Sequence, residues 1–280
     1  MDRDLAEKSE RLLAIYRAGL PFTDTVEAVL VALAEGEGWA AAALWAPDAY
    51  ERAMIGVAVW TSDPQFEPFA EASRGMALPI DTTTIGRCWR SGEPIWVEDV
   101  ATAEGFLRKA LLLDCGLSSA SFVPIAHEDQ VLGVIEFVAS RSTGEEVRQA
   151  DVTRDVLDGL GGLLHTHIEG ERTRRQQVRL ELALEAGRMG TWEWDRRTGH
   201  VVWSTSLEEI YGFAPGEFPG AYDAYQDRIH PDDREALAQR LAETVDQPRI
   251  HHVVHRIIRP DGEVRWIEGH GRPMVEANGD

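Results

Sequence analysis

Two cysteines, Cys88 and Cys115, are the only thiols in 280 residues. That is too few for a disulfide framework and suits a reducing cytoplasm. Basic residues are scarce as well: 28 Lys and Arg stand against 48 Asp and Glu, a net charge of −20. An acidic surface repels nucleic acid and anionic membranes, so neither is expected as a partner. The charge reads as solubility. No apolar run approaches the ~18 residues that span a bilayer. The first residues, Met1-Asp2-Arg3-Asp4, are charged at once and lack a signal-peptide core. No Gly-rich phosphate loop, Ser-His-Asp arrangement or carboxylate metal cluster stands out. The expectation is a cytoplasmic segment with no active site and no metal site.

What is present suits about two domains. Hydrophobic residues make up 44% and aromatic residues 8%, enough for two cores. Leu12, Leu13, Ile15 and Tyr16 mark an amphipathic helix within residues 1–20, ended by Pro21. Val26, Val29, Leu30 and Leu33 mark a second. Strand-length apolar runs follow at 39–45 and 54–61, helices at 65–74 and 84–91, and a short strand at 95–97. A helix at 106–115 and strands at 119–125 and 131–139 complete a mixed α/β domain over 21–143. Short turns between its strands predict an antiparallel sheet. Its closing helix runs to about 168.

Residues 144–187 read as a connector helix. Val156, Leu157, Leu160, Leu163, Leu164 and Ile168 recur at three-to-four spacing, then 169–177 turns polar. The apolar spacing resumes at Val178, Leu182 and Ala186, which suits either a solvated linker or a short dimeric coiled coil. Residues 188–280 are β-rich. Hairpin strands at 191–195 and 201–204 precede helices at 207–211 and 231–245. Two long strands at 250–259 and 263–275 are joined by Arg259-Pro260-Asp261-Gly262, a turn signal. Asn278-Gly279-Asp280 signals one more hairpin turn, with no strand after it.

Trp192-Glu193-Trp194-Asp195, Trp203-Ser204, Ile210-Tyr211-Gly212, His230-Pro231-Asp232-Asp233-Arg234, and Pro260-Asp261-Gly262 with Arg265-Trp266-Ile267 resemble a PAS domain. Thr84-Ile85-Gly86-Arg87-Cys88-Trp89, Ser91-Gly92-Glu93-Pro94-Ile95-Trp96-Val97, Phe122-Val123-Pro124-Ile125 and Val131 to Phe137 resemble a GAF domain. The resemblance implies an α+β architecture: two sensory domains, each an antiparallel sheet with helices on its faces, joined by the long helix. It implies that the PAS sheet lacks its last, central strand. It also implies a homodimer and an output domain downstream. A histidine kinase leads as parent, with a diguanylate cyclase or phosphatase behind it. A dimerisation module without a small ligand is the alternative.

Candidate pocket residues are Trp89, Cys115 and Phe122 in the GAF half, and Trp203, Tyr211 and Ile229 in the PAS half. Trp192, Trp194, Trp203 and Trp266 fit packing better than a pocket. Asp232 or Asp233 fits a helix cap better than catalysis. Among His251, His252 and His255, alternation puts only two on one side of a strand, too few for a metal. Cys88 and Cys115 could do thiol chemistry, as in free methionine sulfoxide reductases, but a buried structural role for Cys88 fits better. The cofactor is unassigned. The PAS half has no cysteine for a flavin adduct, and no bilin-attachment cysteine is evident, while any one histidine could ligate haem.

Overall fold

The computed structural model describes residues 2–140, 154–245 and 251–273. The chain divides into two compact units, residues 1–174 and 175–280. The expected turn at 278–280 and the connector's first turns at 144–153 lie outside the described residues.

The first unit is built on six antiparallel strands: β1 (Ala41–Pro47), β2 (Ala53–Thr61), β3 (Ala77–Pro79), β4 (Ile95–Val97), β5 (Ser119–His127) and β6 (Gln130–Ala139). Their order is β3-β2-β1-β6-β5-β4. Helices cover both faces. α1 (Asp2–Arg17), α2 (Phe22–Ala34) and the start of α6 (Arg154–Ala186) lie on one; α3 (Glu67–Ser73), α4 (Thr84–Ser91) and α5 (Lys109–Asp114) lie on the other. The central strand β1 is therefore apolar on both sides, and its run of alanines leaves room for both layers. On α2, Val26, Val29, Leu30 and Leu33 are all buried, as their spacing requires.

Helix ends follow local chemistry. Thr83 caps α4 by accepting from the Gly86 amide, and Gly92 closes it in the left-handed region at φ 66°. Val156, Leu160 and Leu164 of α6 are buried in the first unit's core. Gly161 lets this helix lie against the sheet, because a Cβ there would stand 2.1 Å from the Ala126 carbonyl oxygen.

In the second unit, β7 (Trp192–Trp194) pairs with β8 (Val201–Trp203), and β9 (His251–Ile258) with β10 (Val264–Gly271), both antiparallel. Between them lie α7 (Thr205–Tyr211), α8 (Tyr222–Arg228) and α9 (Arg234–Val245). Helix α8 carries no apolar periodicity and buries no residue fully, which hides it from sequence reading. Among the described residues no strand follows β10, and neither β7 nor β10 has a partner on its second edge. No described helix is long and apolar enough to cross a membrane.

The Pro260 turn forms as its residues require. The Gly262 amide donates to the Arg259 carbonyl, and Gly262 takes φ 85°. At the His230–Arg234 turn the structure differs from expectation. The capping side chain is His230, which accepts from the Asp232 amide. Asp233 turns instead to Arg256, accepting from its backbone amide at 2.8 Å and its guanidinium at 2.6 Å.

Candidate functional site

A charged pair occupies the first unit's interior. Glu136 of β6 is fully buried and accepts from the Arg108 guanidinium at 2.5 and 2.6 Å. The Trp45 indole donates to the same carboxylate at 2.9 Å, and Arg108 donates to Ser73 Oγ at 2.8 Å. The guanidinium lies over the Trp45 and Phe69 rings, 4.5 and 5.1 Å from their centroids. Two buried charges thus hold each other and have hydrogen-bonded neighbours, the condition for tolerating them in a core. Beside them, Phe106, Phe122 and Leu78 line a void of only about 10 Å³. The space under the helices is filled by the protein's own side chains.

The candidate pocket residues of this half sit around that packed core. Phe122 lines the small void and is buried. Trp89 is half-buried and donates to the Val131 carbonyl at 2.9 Å. Cys115 packs at the core's margin. Both thiols are free; Cys88 is fully buried, and burial pushes its pKa up to about 12. A thiol held protonated is a poor nucleophile.

The first unit also carries an open surface cleft of about 400 Å³ bordered by Arg87, Trp96, Asp99 and Thr102, and the second unit holds more room. A cavity of about 590 Å³ lies between α7, α8 and the two hairpins. Trp203 and Tyr211 line it; Ile229 does not, and packs with Leu237 against Val253, which is a lining residue. Trp203 is clamped by Phe218, stacked at 3.7 Å, and by Tyr211 at 4.3 Å. Glu208 fixes the loop that presents Phe218, accepting from the Gly216 and Phe218 amides at 2.7 and 3.2 Å. Trp192, Trp194 and Trp266 also border the cavity, so the tryptophans both pack and line. Asp195 holds the β7–β8 turn through the Thr198 hydroxyl and the Arg197 and Thr198 amides, contacts that lower its pKa.

Among the described residues, two polar groups in the cavity wall lack a hydrogen-bond partner. His255 is buried and neither ring nitrogen is bonded; the Trp194 indole N–H is also unbonded. Burial depresses the His255 pKa, so the ring is neutral near pH 7. A neutral imidazole offers one donor and one acceptor. The wall also contains Leu184 and Gly187–Met189, the end of α6 and its exit. There Arg188 takes φ 49°, and the Met189 amide donates back to Leu184. Arg188 therefore fills the left-handed closing position where glycine is usual.

Sequence reading put His255 with His251 on one side of a strand but gave no reason to single it out. It missed Tyr222 and Tyr225, which reach the cavity from the unforeseen α8. On the outer face, register brings His252 opposite His270, beside Glu268, a grouping that no single strand reveals.

Comparison with known proteins accords with this division. A GAF domain model matches residues 19–169, and a PAS fold model matches residues 200–280. A blue-light-activated histidine kinase of Brucella anthropi is 30% identical over 131 residues, 45% of this chain and 26% of the relative. A Brucella ovis protein of the same description is 28% identical over 107 residues, 38% of this chain and 21% of the relative. The chain thus matches about a quarter or less of these curated relatives' length. Among solved structures, the GAF domain of an Acinetobacter phosphoenolpyruvate-protein phosphotransferase is 16% identical with a TM-score of 0.46, over 59% of this chain and 96% of that one. The chain belongs to the GAF domain family and carries, in tandem after the GAF domain, a PAS fold of the kind found in bacterial signal-transduction proteins.

Proposed function

We propose that the chain is the sensory region of a cytoplasmic two-component histidine kinase, and that its PAS half binds a small ligand. One observation carries this reading. The 590 Å³ cavity presents unpartnered hydrogen-bonding groups on His255 and Trp194, and its wall includes the end of α6. Buried polar groups are almost always bonded, so the pair calls for a ligand or ordered water. The aromatic lining favours a flat, largely apolar molecule with a donor or acceptor. Binding would favour one arrangement of Leu184 to Met189, and α6 would carry that bias onward as a population shift. Val178 and Leu182, exposed on the second half of α6, supply the seam of a homodimer. The output domain belongs to the kinase beyond this region. A diguanylate cyclase or phosphatase output would use the same device.

In this reading the GAF half is a packed structural partner.

Calorimetric titration of the purified chain with haem, flavin mononucleotide and ATP tests the proposal. One of the three is expected to bind, and His255→Phe to weaken it more than about tenfold, the equivalent of roughly 1.4 kcal/mol. Absence of heat from all three would favour a second reading, an interaction module. The unpaired edges of β7 and β10 support that alternative, because a strand from another chain could pair there.

A further inference from the structure

The outer face of the β9–β10 hairpin carries a constellation that the cavity chemistry does not use. His270 lies directly across from His252, and Glu268 precedes His270 by two residues on the same face. His252 Nε2 is 2.8 Å from Glu268 Oε1, and His270 Nε2 is 3.6 Å from the same oxygen. One ligand atom from each of the three lies within 4.8 Å of the others. The two imidazoles are nearly parallel, with centroids 4.7 Å apart.

We propose that His252, Glu268 and His270 form a binding site for a divalent transition-metal ion of the zinc type. Ligand bonds of about 2.0–2.2 Å at a tetrahedral ion put donor atoms roughly 3.3 Å apart. The two distances to Glu268, 2.8 and 3.6 Å, bracket that value, and the two imidazole nitrogens lie within 4.8 Å of each other, so side-chain rotation can complete the site. The ladder of β9 and β10 already fixes the register, and the backbone need not move. Two nitrogens and one oxygen suit zinc, nickel or copper and disfavour calcium and magnesium, which require oxygen shells. All three residues are exposed, which leaves a fourth position open to water.

An ordinary surface ion pair explains the contact of His252 with Glu268. It does not explain why a second imidazole nitrogen converges on the same carboxylate oxygen. The surplus of negative charge over the whole chain further favours a cation. The site also has a mechanical place. It clips the open end of a two-stranded hairpin whose other end is closed by the Pro260 turn. Two strands alone are marginal, so an ion that binds only the folded hairpin stabilises it. Glu268 and His270 also border the cavity, and the ion would hold that part of its wall in place.

The test is titration of the full chain, free of any histidine tag, with zinc chloride by calorimetry, and with cobalt chloride followed by visible absorption. The expected result is one ion per chain, with a rise in melting temperature. His252→Ala and His270→Ala should each weaken zinc by more than about tenfold, the loss that removing even an outer-shell partner can cause. Glu268→Gln should remove the cobalt bands. His165→Ala is the control; its ring lies 4.7 Å from His127 in the first unit, a pair of imidazoles without a third ligand. All four positions are exposed or partly exposed, so the variants should keep the wild-type circular dichroism. Zinc affinity unchanged in the His252→Ala/His270→Ala double variant would overturn the proposal. So would zinc binding weaker than about 1 mM in the wild type.

Discussion

Glu136 and His255 are both buried polar groups, and they are satisfied in opposite ways. Glu136 has two partners, Arg108 and Trp45, and His255 has none among the described residues. Breaking a buried pair leaves a stranded charge, so Arg108→Met should cost about 3–5 kcal/mol in denaturant unfolding. The double variant Arg108→Met/Glu136→Leu should recover much of that, because no stranded charge remains. His255→Phe should raise the second unit's stability by about 1–3 kcal/mol, the penalty of an unbonded buried group. A pH dependence follows as well. Burial depresses the His255 pKa below its ordinary value of 6.5. The unfolded chain therefore takes up the proton first, and this contribution to stability is present above about pH 6.5 and is lost as pH falls through the depressed value. His255→Phe should flatten that part of the melting-temperature profile. Asp233, held down to about 2 by Arg256, titrates in a separate window, and its contribution is lost only as pH falls from about 3.8 towards 2.

Helix α6 shows how far sequence legibility reaches at the scale of an element. Its apolar half was readable because Val156, Leu160 and Leu164 repeat with the helical period and are buried. Its four glycines, Gly159, Gly161, Gly162 and Gly170, look alike in sequence and differ in space. Gly161 faces the Ala126 carbonyl, whereas Gly162 and Gly170 face nothing within 4 Å. Gly162→Ala and Gly170→Ala should each stabilise by about 1 kcal/mol, the difference in helix propensity. Gly161→Ala should destabilise, because the new methyl meets backbone that cannot yield. Thermal melts of the three variants separate these signs. Strands and turns were legible for the same local reasons, as at Gly92 and Gly262. Helix α8 was not, since Tyr222 to Arg228 has no repeating apolar face. The His252, Glu268 and His270 grouping escaped because register, not spacing along one strand, creates it.

At the scale of the whole molecule, the family motifs made the tandem of sensory domains readable, and matching models for the two halves bear it out. What the motifs could not tell was how the halves differ. Only coordinates show a first unit whose interior is filled by its own ion pair and a second with 590 Å³ of cavity. Association through α6 predicts a dimer in sedimentation equilibrium, with Leu182→Glu shifting it towards monomer. The function proposed for the second unit turns on whether its cavity takes a ligand held by His255. Native mass spectrometry tests this most directly, on the chain as purified and after incubation with haem, flavin mononucleotide or ATP, beside His255→Phe. One small molecule per chain is expected in the wild type, and its loss in the variant. A wild type that carries none, or a variant that retains it equally, would contradict the claim.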